Sequence, residues 1–176
     1  MAFDLIKNNR SFKIRRMKTQ KLEEKYLQIK SLDAYTIKLC YMVGLTIFVL
    51  LVGFFLIMKS LGLHEIISLH YFNGVFLLLG LFFALSSISK KNESNKIEYF
   101  NGIKTGMRMT LIAIIPFAIF IGLYLKIDTS FMTFLYHNSV FGHYLTPFVA
   151  GVVIAVEGIV SGFLLTFILM PYFKES

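Results

Sequence analysis

The sequence predicts an all-α integral membrane bundle of four transmembrane helices, both termini cytoplasmic, preceded by a basic cytoplasmic arm. Three observations carry this prediction. The 176 residues are 56% hydrophobic with a mean hydropathy of +0.69, more apolar surface than a soluble domain of this size hides. The apolar residues gather in four runs, each near the ~20 residues that cross a hydrocarbon core of ~30 Å. The 18 Lys and Arg are divided very unevenly among the connections.

The arm comes first, over residues 1–36. From Lys7 to Lys21 there are seven basic residues and no acid, with Phe3, Leu5, Ile6, Phe12, Ile14 and Met17 interleaved. A basic segment with aromatics is compatible with nucleic acid. Beside a membrane span, attraction to anionic lipid headgroups explains it better, with Lys13, Arg15, Arg16 and Lys18 as headgroup contacts. The expected partner is therefore the bilayer, and nucleic acid is not expected. Lys18–Ser31 is predicted to be a helix presenting Leu22, Tyr26 and Ile29 on one face, to the membrane or to a partner.

The membrane domain follows over 37–174, with spans at about 37–58, 71–87, 107–125 and 145–170. These runs lack the polar stripe of a soluble amphipathic helix. The first is read as a retained helix. Its basic prelude is too long for a signal-peptide n-region, and Lys59-Ser60-Leu61-Gly62 is no small-x-small cleavage site. Cys40 is the only cysteine, so no disulfide forms within the chain, and it is expected to pack as a small apolar group.

Charge orients these spans. Ten Lys and Arg lie before or at the start of span one, five between spans two and three, and Lys174 after span four. The other two connections hold Lys59 and Lys126 alone. The positive-inside rule then places both termini and the middle loop in the cytoplasm. The outer segment 127–144 is rich in Phe, Met and Tyr, and is expected to lie in the interface as a short helix.

Span four is segregated by size. On a helical wheel Gly151, Ala155, Gly158 and Gly162 fall on one side with Ala150 and Ser161, and Val and Phe dominate the other. Lipid tails do not discriminate among bulky apolar residues. Helix packing does, because small residues let backbones approach. Span three shows the same device at Gly102 and Gly106, continued by Thr110 and Ala113, and then reaches Pro116, where a kink is expected. Spans three and four are expected to bury against each other.

Glu157 is the one acidic residue deep in a span. A carboxylate there costs a few kcal/mol even on the gentler insertion scales. It is read as a hydrogen-bonded, buried structural group near Ser161, with Arg108 as its candidate partner. The competing reading is a proton- or cation-coupling site. Transport pathways string several ionisable groups together, and this chain has one, which favours the structural role.

His64, His70, His137 and His143 all fall on the outer side. Their spacing of six within each pair matches neither ligation by one helix turn nor a zinc finger, so they are weak metal candidates and no metal site or cofactor is predicted. No phosphate-binding glycine loop, nucleophile elbow, CxxC or HExxH occurs, and no enzyme is predicted. The tetrapeptide YFNG occurs at Tyr71–Gly74 and Tyr99–Gly102 and diverges immediately afterwards, so it is no internal repeat. It is read as one way of starting a span, with aromatics in the headgroup belt, Asn as N-cap and Gly for close packing.

The succession SKKNESNK, EYFNGIKTGMRMTLIA, YLKID and EGIVSGFLLTFILMPYFK resembles small four-helix inner-membrane proteins of Bacteroidota that share a domain of unknown function. The resemblance covers about residues 71–174 and rests on Gly102-x-x-x-Gly106 and the Glu157-Gly158 to Ser161-Gly162 cluster. It implies a four-helix topology and a bacterial inner membrane, and it implies no activity. The expected function is that of a non-enzymatic accessory or scaffolding protein. It would pack through its small-residue faces, as a homo-oligomer or within a larger membrane complex. The alternative is a small proton- or cation-coupled transporter or channel using Glu157.

Overall fold

The computed structural model describes residues 2–62, 72–92, 97–128, 133 and 146–173, with side chains from Met17 onward apart from Lys25. Its elements are helical: α1 (Ala2–Ser60), α2 (Phe72–Lys91), α3 (Tyr99–Ile127) and α4 (Pro147–Phe173). Among the described residues all four are long and apolar enough to cross a membrane, the organisation of a multi-pass membrane protein. Contacts divide the chain into two compact units, Met1–Thr36 and Ile37–Ser176.

In the first unit the backbone is one continuous helix, part of the 59-residue α1. The expected helix Lys18–Ser31 is therefore not a separate element. The reason lies in composition: no Gly or Pro interrupts the sequence before Gly44, so nothing stops a helix once it has begun. Leu22, Tyr26 and Ile29 are all exposed, an apolar stripe on a polar helix.

In the second unit α1 continues to Ser60 and stops at Gly62. That glycine takes φ +70°, and the amides of Leu61 and Gly62 donate to the carbonyls of Ile57 and Lys59 at 3.0 and 3.1 Å. The left-handed glycine satisfies carbonyls that the helix end would leave open. The observed helices outrun the expected spans at most ends. Polar residues flanking an apolar run, such as Lys90 and Lys91, stay in the hydrogen-bonded helix because leaving it would expose backbone groups near the membrane.

The core of this unit is built at helical spacing. Cys40, Ile47, Leu51 and Phe55 come from α1, Leu77, Leu81 and Ala84 from α2. Met109, Ala113, Ile114, Phe117, Ile121 and Leu125 come from α3, and only Ala150 from α4. Cys40 is buried, with its thiol directed at the Thr105 carbonyl at 3.7 Å. Glycines set the close crossings. A Cβ on Gly44 would stand 2.8 Å from Ile112 Cγ2, and one on Gly80 would meet the Ile47 side chain.

Helix α3 is unbroken across Pro116. Thr146 precedes helix α4 and caps it: its hydroxyl accepts from the Val149 amide at 3.2 Å and its carbonyl accepts from the Ala150 amide at 2.8 Å. Its other end is tied down by the Ile97 amide, which donates to the Phe173 carbonyl at 2.9 Å.

Candidate functional site

Helices α3 and α4 run antiparallel and share the most extensive helix contact described between α2, α3 and α4. Small residues make this seam. A Cβ on Gly102 would meet Met170, and one on Gly106 would meet Thr166. On α4, a Cβ on Gly162 would meet Thr110, one on Gly158 would stand 2.7 Å from Ile114 Cγ2, and one on Gly151 would stand 3.1 Å from the Ala118 carbonyl. Ala155 is partly buried beside them. The small faces of α3 and α4 thus meet each other within one chain. Packing here is van der Waals contact, since lipid supplies no hydrophobic drive between helices.

Thr166, Thr110 and Met170 complete the seam, and all three are fully buried. The Thr166 hydroxyl donates to the Gly162 carbonyl at 2.7 Å, its own turn of helix. Thr110 Oγ1 is buried with no hydrogen-bond partner. Thr166 and Met170 were not singled out by the size pattern on α4. The signal that finds them is the four-residue spacing from Gly158 and Gly162 continued one and two turns further.

Glu157 corrects one expectation. Its side chain is exposed, on the outward face of α4 together with Val153, Val160 and Leu164, and it is not buried at the seam. The wheel explains the difference: Glu157 lies 100° from Gly158 and 140° from Gly162, so a seam centred on Gly162 turns Glu157 outward. Arg108 is exposed too, and Ser161 is partly buried. Because Gly158 faces Ile114 and Gly162 faces Thr110, Arg108 stands level with a residue near 164. That leaves it six or seven residues, about 10 Å along the axis, from Glu157. The structure does not bring these two charges together.

No protein-family model matches this chain, and no curated protein or solved structure does either.

A second polar feature closes the opposite end of the unit from Lys90 and Lys91. Lys59, in the last turn of α1, pairs with Asp128, just past α3. The Tyr124 hydroxyl donates to the same Asp128 oxygen at 3.1 Å. The Lys59 ammonium also lies 5.4 Å from the Tyr124 ring centroid, within cation–π range. Phe55 packs edge-on against Tyr124 at 5.1 Å. Sequence reading missed this knot. The available signal was that Lys59 and Asp128 each follow directly on the end of an apolar run at the same predicted side.

The remaining expected sites divide in two. Lys18 is exposed. The side chains of Lys13, Arg15 and Arg16 lie outside the described residues, as do His64, His70, His137 and His143 and nearly all of segment 127–144. Among the described residues no three His, Cys, Asp or Glu gather in a metal-binding group. Neither copy of YFNG caps its helix with Asn. Helix α2 already includes Asn73, and α3 begins at Tyr99 after Glu98, so Asn101 lies within the first turn. Its amide donates to the Glu98 carboxylate at 2.7 Å instead.

Proposed function

We propose that this chain is a non-enzymatic accessory or scaffolding protein of a bacterial inner membrane, with both termini cytoplasmic. It assembles with itself or within a larger membrane complex through the outward face of α4. The observation that carries this reading is Glu157, a carboxyl at mid-span, exposed and without a hydrogen bond or ion pair to the described residues. An ionisable group facing hydrocarbon is costly, and such groups are normally paired or face protein or water. Burying it against another membrane helix with a hydrogen-bond donor removes that cost.

The α3–α4 seam refines how assembly occurs. Its small residues are occupied by each other, so another chain meets a different surface. Only 11% of the most apolar window of α4 is buried, against 39% for α3, so α4 offers the larger free surface. The transport reading finds less support. The buried polar residues described are Ser89, Thr105, Thr110 and Thr166, none of them ionisable. The charge asymmetry of the connections supports the orientation.

The test is extraction in a mild detergent followed by mass measurement of the intact species. The expected result is a mass of two or more chains, or of the 20.2 kDa chain with a stoichiometric partner, shifted toward the single chain by Glu157→Val and reduced to it by Glu157→Lys. A wild-type protein that is a lone chain under these conditions overturns the reading.

A further inference from the structure

The flank of the α3–α4 seam nearest Lys126 opens into a groove of about 660 Å³, within the usual size range of small-molecule sites. Its floor is Ala118, Gly122, Gly151 and Ala155, and its walls are Ile119, Leu123, Phe148 and Val152. The groove exists because these small residues let the backbones touch: a Cβ on Gly122 would lie 3.4 Å from the Pro147 carbonyl and one on Gly151 3.6 Å from Gly122 Cα. The larger residues on either side then stand up as banks.

Two properties select the occupant. Along α3 the lining runs from Ile115 to Lys126, about 16 Å at 1.5 Å per residue. That is close to one leaflet of a ~30 Å hydrocarbon core. The lining is apolar except for Lys126 and Thr146, and both sit at the same end, where α3 finishes and α4 begins. A groove as deep as one leaflet, greasy along its length and cationic at its mouth, matches an acyl chain joined to a phosphate.

Lys126 is available for that role. It is exposed and has no carboxylate partner among the described residues, because the adjacent acid, Asp128, is engaged by Lys59 and Tyr124. Its long aliphatic stem lets the ammonium reach headgroup level while the stem stays on apolar surface. A zwitterionic headgroup carries its own cation and gains less from Lys126 than a net anionic one does.

We propose that the α3–α4 groove is a binding site for an anionic phospholipid, one acyl chain lying on Gly122 and Gly151 and the headgroup phosphate held by Lys126. The site uses no residue of the basic arm, and any assembly of the chain must leave this flank of the seam open to lipid. It lies in the leaflet at the Lys126 end.

The experiment uses the full chain in nanodiscs of phosphatidylcholine containing one-fifth phosphatidylglycerol. A small fraction of the phosphatidylglycerol carries a photoreactive group midway along one acyl chain, and adducts are mapped by peptide mass spectrometry. The expected adducts fall on Ile115–Leu123 and Val152–Ala155. Their yield drops at least fivefold when the photoreactive lipid has a choline headgroup, and likewise in Lys126→Glu. Lys126→Arg keeps it. Val152→Trp, which fills the groove from an exposed bank without touching the seam, also abolishes it. The arm is unchanged in every variant, so lipid drawn to it does not affect the comparison. Equal adducts with both headgroups, or adducts insensitive to Lys126→Glu and Val152→Trp, overturn the proposal. So does a groove protected by residues 129–145 or by a second copy, seen as lipid adducts that avoid it.

Discussion

Thr110 lies over Gly162, its side chain occupying the space a Cβ at residue 162 would take. Thr166 stands in the same relation to Gly106. The two pairs are reciprocal: each helix presents a threonine to a glycine of the other, one turn apart on α3 and one turn apart on α4. This fixes both the separation of the helices and their register. Sliding α4 by a turn one way sets Thr110 against Thr166, and sliding it the other way sets Ile114 against Ile154 in place of Gly158.

The glycines of these pairs should therefore tolerate almost nothing. Gly162→Ala places a methyl against the buried Thr110, and overpacking of this kind costs about 1–3 kcal/mol. Gly106→Leu should cost more and yield misassembled protein. Denaturant titration of α-helical circular dichroism in mixed micelles measures the first. Monodispersity by fluorescence-detected size exclusion reports the second. A Gly162→Ala protein as stable as the wild type contradicts the observed contact.

The two threonines should respond differently to the same change. Thr110 Oγ1 is buried without a partner, and an unsatisfied buried hydroxyl is a net cost. Thr110→Val keeps the shape and removes the hydroxyl, so its effect is expected to lie between neutral and about 1 kcal/mol stabilising. Thr166→Val removes a hydrogen bond to the Gly162 carbonyl and is expected to cost about 0.5–1 kcal/mol. The same titration compares the pair, and equal effects of the two variants run against it.

The Lys59–Asp128 pair joins the ends of α1 and α3, with side chains 28% and 19% exposed. Pairs that are partly solvated contribute modestly, about 0.2–1 kcal/mol in double-mutant cycles. The Tyr124 hydroxyl on the same oxygen places this pair at the upper part of that range. A cycle of Lys59→Met and Asp128→Asn should give a coupling of roughly 1 kcal/mol. It should fall in high salt, because exposed charge pairs are screened. Zero coupling at low salt would show the pair to be incidental.

Much of this architecture was legible from sequence, and the limits are physical. Four apolar runs and the absence of Gly or Pro before Gly44 specify helices directly. Segregation by size on α4 locates a packing face, because only close backbone approach rewards small residues in lipid. The matching small faces of spans three and four pair those two helices with each other, and the fold packs them so. What sequence leaves open is the register, which the Thr110–Gly162 and Thr166–Gly106 contacts set. Glu157 was misplaced for a related reason. It stands at the border of the small face, and a rotation of some tens of degrees, set by Thr110 and Thr166, turns it outward. The Lys59–Asp128 knot joins residues 69 apart in sequence, which periodicity does not detect.

Cys40 gives a clean background for orientation. It is 1% exposed and sits within the apolar part of α1, so an impermeant maleimide should leave the wild-type protein unlabelled. Leu61 is 65% exposed and Lys91 is exposed, at opposite ends of the unit. In inverted inner-membrane vesicles Lys91→Cys should react and Leu61→Cys should not, and in intact spheroplasts the order should reverse. The opposite pattern overturns the cytoplasmic assignment of the termini and the middle connection.

Glu157 separates assembly from transport. On the outward face of α4 a neutral carboxyl, or an amide, both donates and accepts a hydrogen bond, whereas valine does neither. Interhelical hydrogen bonds in membranes contribute about 1–2 kcal/mol in model peptides, which is roughly 5–30-fold in association. Glu157→Gln should then keep the oligomer or complex, Glu157→Val should weaken it by about that factor, and Glu157→Lys should abolish it. Energy transfer between labelled chains across a dilution series in lipid measures all three, or between chain and partner once the partner is known. Transport predicts another order. Glutamine cannot carry a proton, so Glu157→Gln would lose a pH-driven flux in proteoliposomes while its assembly stayed intact. Wild-type flux that Gln abolishes would move the glutamate from an interface to a pathway. No flux in any variant, with association falling from Gln to Val to Lys, assigns Glu157 to holding α4 against its neighbour.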